Sequence, residues 1–430
     1  MMILRLFCRR MGRMSHSTLG RGVVLLAFVA AQAGAASVSV RDFGAAGDGV
    51  ALDTVPIQKA LDNVADSGGG TVQVPAGNYV TGSLVMKSHT TLHLDLGASL
   101  LGSSNRDDYP IVTARWEGLE TNCHRALIWA EQADEIAITG EGVIEGNKVV
   151  GPLRNPRGPA VVEFRRCGQV RVEGITLKSF RMWTLHPTYC HDVRIAGVTF
   201  DTAGGNSDGI DPDSCQHVVI DGCNFTTGDD NIAIKSGKGQ EGAKIGIPSE
   251  DILITNCTFI KGYTSVAFGS ELSGGIRRVR IVYCTMKQGH AALQLKSRPG
   301  RGGYVEDVDA KDLVVGPEPL LGINNHYSYN VDFQGVAGID GLTEFGNIRI
   351  RDVRVASKNL LSIAGTVEKP VQAVQISGVT GTCQTGSVIQ NARDVRLSDI
   401  HIDGISGAPY LTNNVEGTGL DGAVPLVEQK

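Results

Sequence analysis

Short runs of alternating apolar and polar residues return in a fixed phase along most of this 430-residue chain. Five are clear: Val170-Arg-Val-Glu-Gly-Ile-Thr-Leu177, Val193-Arg-Ile-Ala-Gly-Val-Thr-Phe200, Val218-Val-Ile-Asp-Gly-Cys-Asn-Phe225, Ile252-Leu-Ile-Thr-Asn-Cys-Thr-Phe259 and Val279-Arg-Ile-Val-Tyr-Cys-Thr-Met286. Fainter copies begin at Ile136, Val308, Ile348, Val374 and Val395. From Val170 the steps to the next three copies are 23, 25 and 34 residues, a period that marks a solenoid whose units bury their apolar faces against their neighbours. The strands are short and carry no helical period inside the unit, so the expected class is all-β, a β-helix rather than stacked helices. A solenoid extends its core along one axis, so the length implies a single domain.

One segment breaks the strand pattern. Between Asp53 and Asp62 the apolar residues Ile57, Ala60 and Leu61, followed by Val64, fall on one helical face, with Asp53 or Thr54 as cap. A short helix here would plug the open N-terminal end of the solenoid, which needs a cap. Ahead of it, Arg9, Arg10, Arg13 and Arg21 precede an apolar stretch from Val23 to Ala31 and small residues around Ala33-Gly34-Ala35. That order is expected of a secretory signal peptide over residues 1–36, with residues 37–430 the mature domain, secreted or periplasmic. The stretch is short for a membrane span.

Glycine supplies 55 of 430 residues, well above the usual ~7%, as a turn every few residues requires. Cys167, Cys190 and Cys215 each stand three residues before a repeat's first valine, and Cys223, Cys257 and Cys284 each stand five after one. They should form two axial columns at the ~4.8 Å spacing of paired strands, which permits disulfides without demanding them; buried thiols filling small core slots are expected. The cysteines and histidines lack zinc spacing, and neither a metal nor a cofactor is expected. A net charge of −5 with 5% aromatics leaves no basic, ring-rich face for nucleic acid. The expected partner is a substrate alone, bound by a monomer.

The chemistry gathers in two neighbouring repeats. Asn206-Ser-Asp-Gly-Ile-Asp211 and Gly228-Asp229-Asp230 fall in equivalent places of consecutive units. Matching Ile210 to Ile232, Val266 and Leu293 sets Asp208 beside Asp230, with Asp229 adjoining. The same frame gives one outward column of His186, Asp211, Ala233, Ala267 and Gln294, and another holding Lys235 and Lys296. Strict alternation would bury Asp208 and Asp230 with the isoleucines two residues on. Gly205 and Gly228, in the turns before them, are the expected points at which the pleat breaks and turns the acids outward. Carboxylates this close repel, so at least one keeps a proton near neutrality, giving the acid and base that glycosidic cleavage uses. Such sequences also make ordinary turns, and clustered carboxylates also bind calcium.

Together with Trp183-Thr-Leu-His-Pro187, Gly269-Ser-Glu-Leu-Ser-Gly-Gly275 and Leu293-Gln-Leu-Lys-Ser297, these motifs resemble glycoside hydrolase family 28, the polygalacturonase family, and most of all its bacterial exo-acting members. The resemblance implies a single-stranded right-handed parallel β-helix that hydrolyses α-1,4-galacturonosidic linkages with inversion. It makes Asp229 the general acid and gives Asp208 and Asp230 the attacking water. It makes Lys296 a substrate-carboxylate ligand and Tyr327 a substrate contact, with Tyr329 as a competing match. Asn206, which opens its motif, joins the binding set.

Two positions depart from the family pattern. Gly262-Tyr263-Thr264-Ser265 lacks the histidine of the family's Gly-His-Gly, and Gln294-Leu295-Lys296 lacks the arginine of its Arg-Ile-Lys. Losing a guanidinium that grips a carboxylate weakens uronate binding at that subsite, so a modified or branched pectin becomes a candidate substrate. Gln294 stays in the binding set in the arginine's place, and compensating contacts are open to His186 in the same outward column and to Arg298 and Arg301, although His186 also reads as a structural residue before a turn proline and Arg298 as a solvated loop charge. A calcium-dependent pectate lyase and a non-catalytic pectin-binding relative stand as alternatives.

Overall fold

The computed structural model describes residues 36–328 and 332–426. The leader expected over residues 1–36 lies, but for Ala36, outside the described residues, as does Tyr329. Among the described residues no helix is long and apolar enough to cross a membrane.

The chain winds as a right-handed parallel β-helix whose coils each contribute short strands to three stacked sheets. The repeat sets the first sheet in register: Val170, Val193, Val218, Ile252, Val279, Val308, Ile348, Val374 and Val395 are successive parallel partners. The residue before each of these, from Gln169 through Asp192, His217, Asp251, Arg278, Asp307, Asn347, Ala373 to Asp394, has φ between 51° and 57°. A left-handed corner costs an L-residue about 1–2 kcal/mol, yet it recurs on every coil because it turns the chain from one sheet to the next.

The second sheet holds the other half of each repeat. Its inward residues Phe200, Phe225 and Phe259 stack with centroids 4.8 and 5.0 Å apart and planes within 12°, the axial spacing of paired strands imposed on aromatic rings. All eight described cysteines are free and buried; Cys190 Sγ lies 3.4 Å from the Cys167 N–H on the coil before. The columns read from the sequence therefore exist as thiols.

The helix spans Thr54–Asp66 and buries Ile57, Ala60, Leu61 and Val64 in the main core. Asp53 is its N-cap residue but makes no side-chain cap bond. Its carboxylate instead accepts the backbone N–H groups of Ala46 and Gly47 at 2.7 and 2.9 Å.

The third sheet carries the candidate site, in strands Val162–Arg165, Leu185–Thr188, Ile232–Ile234, Thr264–Gly269, Ala291–Lys296 and Leu321–Asn324. A hairpin of Ile111–Trp116 and Leu119–His124 leaves the solenoid and lies against the N-terminal part of this sheet. The sequence periodicity gave no sign of it.

Candidate active site

Register sets the two acids side by side, as the match of Ile210 to Ile232 required. Leu185, Ile210, Ile232, Val266 and Leu293 are successive partners, so two residues earlier Asp208 and Asp230 are neighbours on adjacent coils; the Gly209 N–H donates to the Asp230 carbonyl at 3.0 Å. The pleat does break, one residue after the acids rather than in the turns before them. A Cβ at Gly209 would strike the Phe225 ring at 2.9 Å, so position 209 faces the core. Its counterpart Asn231 is fully buried and donates to Thr227 Oγ1 and the Lys261 carbonyl at 2.7 and 2.8 Å. Two consecutive inward positions, 209 with Ile210 and Asn231 with Ile232, leave Asp208 and Asp230 facing out. Gly205 has open space around it, whereas a Cβ at Gly228 would meet the Gly204 carbonyl at 2.2 Å. Gly228 thus serves close backbone approach.

Two lysines anchor the acids. Lys296 Nζ lies 2.6 Å from Asp230 Oδ2, with both side chains buried. Lys235 Nζ reaches Glu271 at 3.3 Å, Asp211 at 3.4 Å and Asp208 at 4.0 Å. Glu271, within the Gly269-Ser-Glu motif, is a site residue to which the sequence reading gave no role. Asp229 is only half-buried. Its carboxylate accepts the Asn206 N–H at 2.8 Å and the Asp230 N–H at 3.0 Å. Asn206 therefore contributes through its backbone, held in the left-handed region at φ 59°.

Burial, and then the Asp230 charge, raises the Asp229 carboxyl above its ordinary range against the pull of the Asn206 N–H. Asp208 is pushed well up, by burial and then by Asp211 and Asp229, and Asp211 is pushed up to about 7 by burial, opposed by Lys235. At least one proton was expected among the acids, and burial raises both Asp229 and Asp208. Burial opposes ionisation of Glu271, but Lys235 and Arg301 overcome it and hold that carboxyl low.

The remaining expected residues divide. Gln294 and Lys296 lie in the columns assigned to them, beyond Ala267 and Gly269, and Tyr327 sits with its ring centroid 5.3 Å from Lys296 Nζ. His186 is 2% exposed, with Thr188 Oγ1 3.0 Å and Asp213 Oδ2 3.8 Å from Nε2, Glu163 Oε1 3.6 Å from Nδ1, and the Trp183 ring edge-on at 4.8 Å. Burial lowers its pKa and pushes Glu163 up to about 8. His186 is thus packed among Glu163, Thr188, Asp213 and Trp183, and Asp230 is equally buried. Arg301 is fully buried, over the Phe333 ring at 4.3 Å. Arg298 is half-buried beside it, with Nε and Nη1 making no hydrogen bond.

The hairpin forms the roof over His186. Arg115 pairs with Asp213 at 2.8 Å, both side chains wholly buried, and reaches Ser214 Oγ at 2.9 Å. Trp116 packs against Trp183, with ring centroids 4.2 Å apart and planes tilted by 37°. Glu120 pairs with Arg165 at 2.8 Å, and the Gly118 carbonyl at the tip accepts the Lys238 N–H at 3.0 Å. The hairpin therefore packs over the N-terminal coils of this sheet, and its tip reaches Lys238 and Glu271 beside the acids' coils.

A right-handed parallel β-helix with a floor of paired carboxylates and lysines on one sheet is a scaffold for acid/base work on an extended ligand. The chain belongs to Glycosyl hydrolases family 28, whose model matches residues 66–418. It is 32% identical over 315 residues to a probable polygalacturonase of Vitis vinifera, covering 69% of this chain and 64% of that protein. It is 28% identical over 320 residues to an exo-poly-alpha-D-galacturonosidase of Dickeya chrysanthemi, covering 62% and 53%. The chain thus spans between about half and two-thirds of the length of these relatives. A hyperthermoactive exopolygalacturonase from Thermotoga maritima superposes with a TM-score of 0.73 at 27% identity, over 90% of this chain and 93% of that one. A family 28 exopolygalacturonase from Yersinia enterocolitica superposes at 0.79 with 24% identity, over 91% and 80%, a likeness that concerns the fold alone.

Proposed function

We propose that this protein is a secreted or periplasmic inverting glycoside hydrolase acting on α-1,4-galacturonosidic linkages of a pectic polymer or its oligomers, a modified or branched pectin among them. The observation that carries the reading is the in-register pair Asp208 and Asp230 with Asp229 at its edge, one member paired to Lys296 and another raised by burial. Asp229, half-exposed and with its carboxyl raised by burial and then by the Asp230 charge, donates a proton to the glycosidic oxygen. Asp230, a carboxylate paired with an ammonium, takes the proton of the attacking water. Asp208, whose burial favours a proton shared with Asp211, orients that water. Positioned acid and base groups each contribute about 10²–10⁴ in rate.

The roofing hairpin, packed over the coils N-terminal of the acids through Arg115 and Trp116, supports action from a chain end. A calcium-dependent lyase fits less well: Asp230 is already neutralised by Lys296, and Asp208 and Asp211 lie beside Lys235, a donor set that repels a dication. The test is reducing-end release from polygalacturonate, rhamnogalacturonan and xylogalacturonan. Release from at least one, without unsaturated products, is expected; a folded protein that releases none removes the proposal, and binding unaffected by Asp229→Asn would favour a non-catalytic role.

A further inference from the structure

The register that pairs Asp230 with Thr264 and Thr264 with Ala291 puts, one residue earlier, Asp229, Tyr263 and His290 in a single column. Backbone bonds follow it: the Tyr263 N–H donates to the Asp229 carbonyl at 2.7 Å, and the His290 N–H to the Tyr263 carbonyl. The coil spacing brings the two rings face to face, 5.0 Å apart with planes 9° from parallel. Tyr263 is 45% exposed and His290 is exposed, so an aromatic surface stands in water one coil beyond the acid. Lys296 Nζ lies 5.9 Å from the Tyr263 ring and 5.3 Å from the Tyr327 ring, between two tyrosines and already paired with Asp230.

The neighbouring outward column continues the theme. Gln294 partners Gly322 on the next coil, and a Cβ at 322 would come within 2.3 Å of Gln294 Oε1. The amide folds over the glycine backbone in space that no other residue would leave. Beyond the acids, then, a sugar meets stacked rings and a neutral amide, and the Lys296 ammonium is engaged by Asp230. Ring faces favour the C–H face of a pyranose, while an anion set among them is desolvated without a new counter-charge.

We propose that the Tyr263–His290 stack and Gln294 form the subsite one coil C-terminal of the cleavage point, and that this subsite takes an uncharged pyranose, such as methyl-esterified galacturonate, in preference to a free uronate. The inference rests on the pectic-hydrolase reading above and names which position of the substrate is modified.

Trigalacturonate and its methyl-esterified form are the probes, with kcat/KM for the wild type and calorimetric Kd for Asp229→Asn. The wild type should use the ester at least as well as the acid. Tyr263→Ala should weaken the ester about tenfold through KM, while Tyr263→Phe stays within about threefold. Gln294→Arg should swing the acid-to-ester ratio about tenfold or more toward the acid. A wild type that prefers the acid tenfold, a ratio unmoved by Gln294→Arg, or a Tyr263→Ala variant with unchanged KM and Kd overturns the inference. Turnover of neither probe, with the ester still bound more tightly by Asp229→Asn and less tightly once Tyr263→Ala is added, removes the hydrolase reading and leaves this subsite standing. Binding of neither probe overturns the subsite.

Discussion

Arg115→Met tests whether the roof is held by charge. Arg115 pairs with Asp213 at 2.8 Å with neither side chain exposed, and its guanidinium lies 4.8 Å from the Tyr189 ring centroid. Breaking a buried pair costs about 3–5 kcal/mol, and the lost ring contact adds about 1. Against this, Arg115 Nε and Nη2 are buried without hydrogen bonds, and relieving them returns about 1 kcal/mol each. The net expectation is a loss of about 2–4 kcal/mol, on the order of 3 °C in Tm for a chain of this length. In the intact protein burial raises the Asp213 carboxyl, but Arg115 and then His186 overcome it and hold it below its ordinary 3.8, so its contribution is present above that pH and lost as pH falls through the lower folded value. Without Arg115 burial wins and the sign inverts: the variant's deficit is largest near pH 7 and shrinks below about pH 4. Thermal melts of wild type, Arg115→Met and Arg115→Met/Asp213→Asn at both pH values measure this. The double variant should recover to within about 1 kcal/mol of wild type; a double variant as unstable as the single one, or a deficit independent of pH, refutes the reasoning. A loosened roof should also shift products from terminal to internal cleavage.

Three further outcomes are expected. Asp229→Asn should lower kcat by about 10²-fold or more while melting within a degree or two of wild type, as measured by reducing-end assay and calorimetry, because its half-exposed carboxyl holds only neighbouring turn N–H groups. Asp211→Asn should raise Tm at pH 8 and do nothing at pH 3.5: a carboxyl raised from 3.8 to about 7 penalises the fold only above its unfolded value, increasingly as pH climbs to 7. Reductant should leave Tm unchanged, since the eight described cysteines are buried thiols.

What the sequence revealed followed from repetition. A two-residue period names one face of a strand, and a fixed unit length names the partner on the next coil, so the columns of Val170, of Asp208 and Asp230, and of Lys235 and Lys296 were legible before any coordinates. Repetition is silent about insertions. The hairpin that buries His186 is not periodic; its one local signal is the Glu117-Gly118 turn, with φ 47° and 81°, between two strand-like runs. Without the roof, an outward His186 reads as accessible. Pleat breaks escaped for another reason: Gly205 and Gly209 look alike as letters, and only the Phe225 ring beneath position 209 tells which of them faces inward. The second raised acid depended on Asp211, whose proximity to Lys235 and Asp208 is a side-chain fact.

The central claim is that Asp229 protonates a linkage while Asp208 and Asp230 deliver water to the opposite face of the sugar. The anomeric configuration of the first product released from an α-1,4-galacturonosidic oligomer, followed by proton NMR before mutarotation, tests it most directly. The account predicts the β-anomer at early times, relaxing to the equilibrium mixture; an α-anomer first, or a 4,5-unsaturated product, would contradict it.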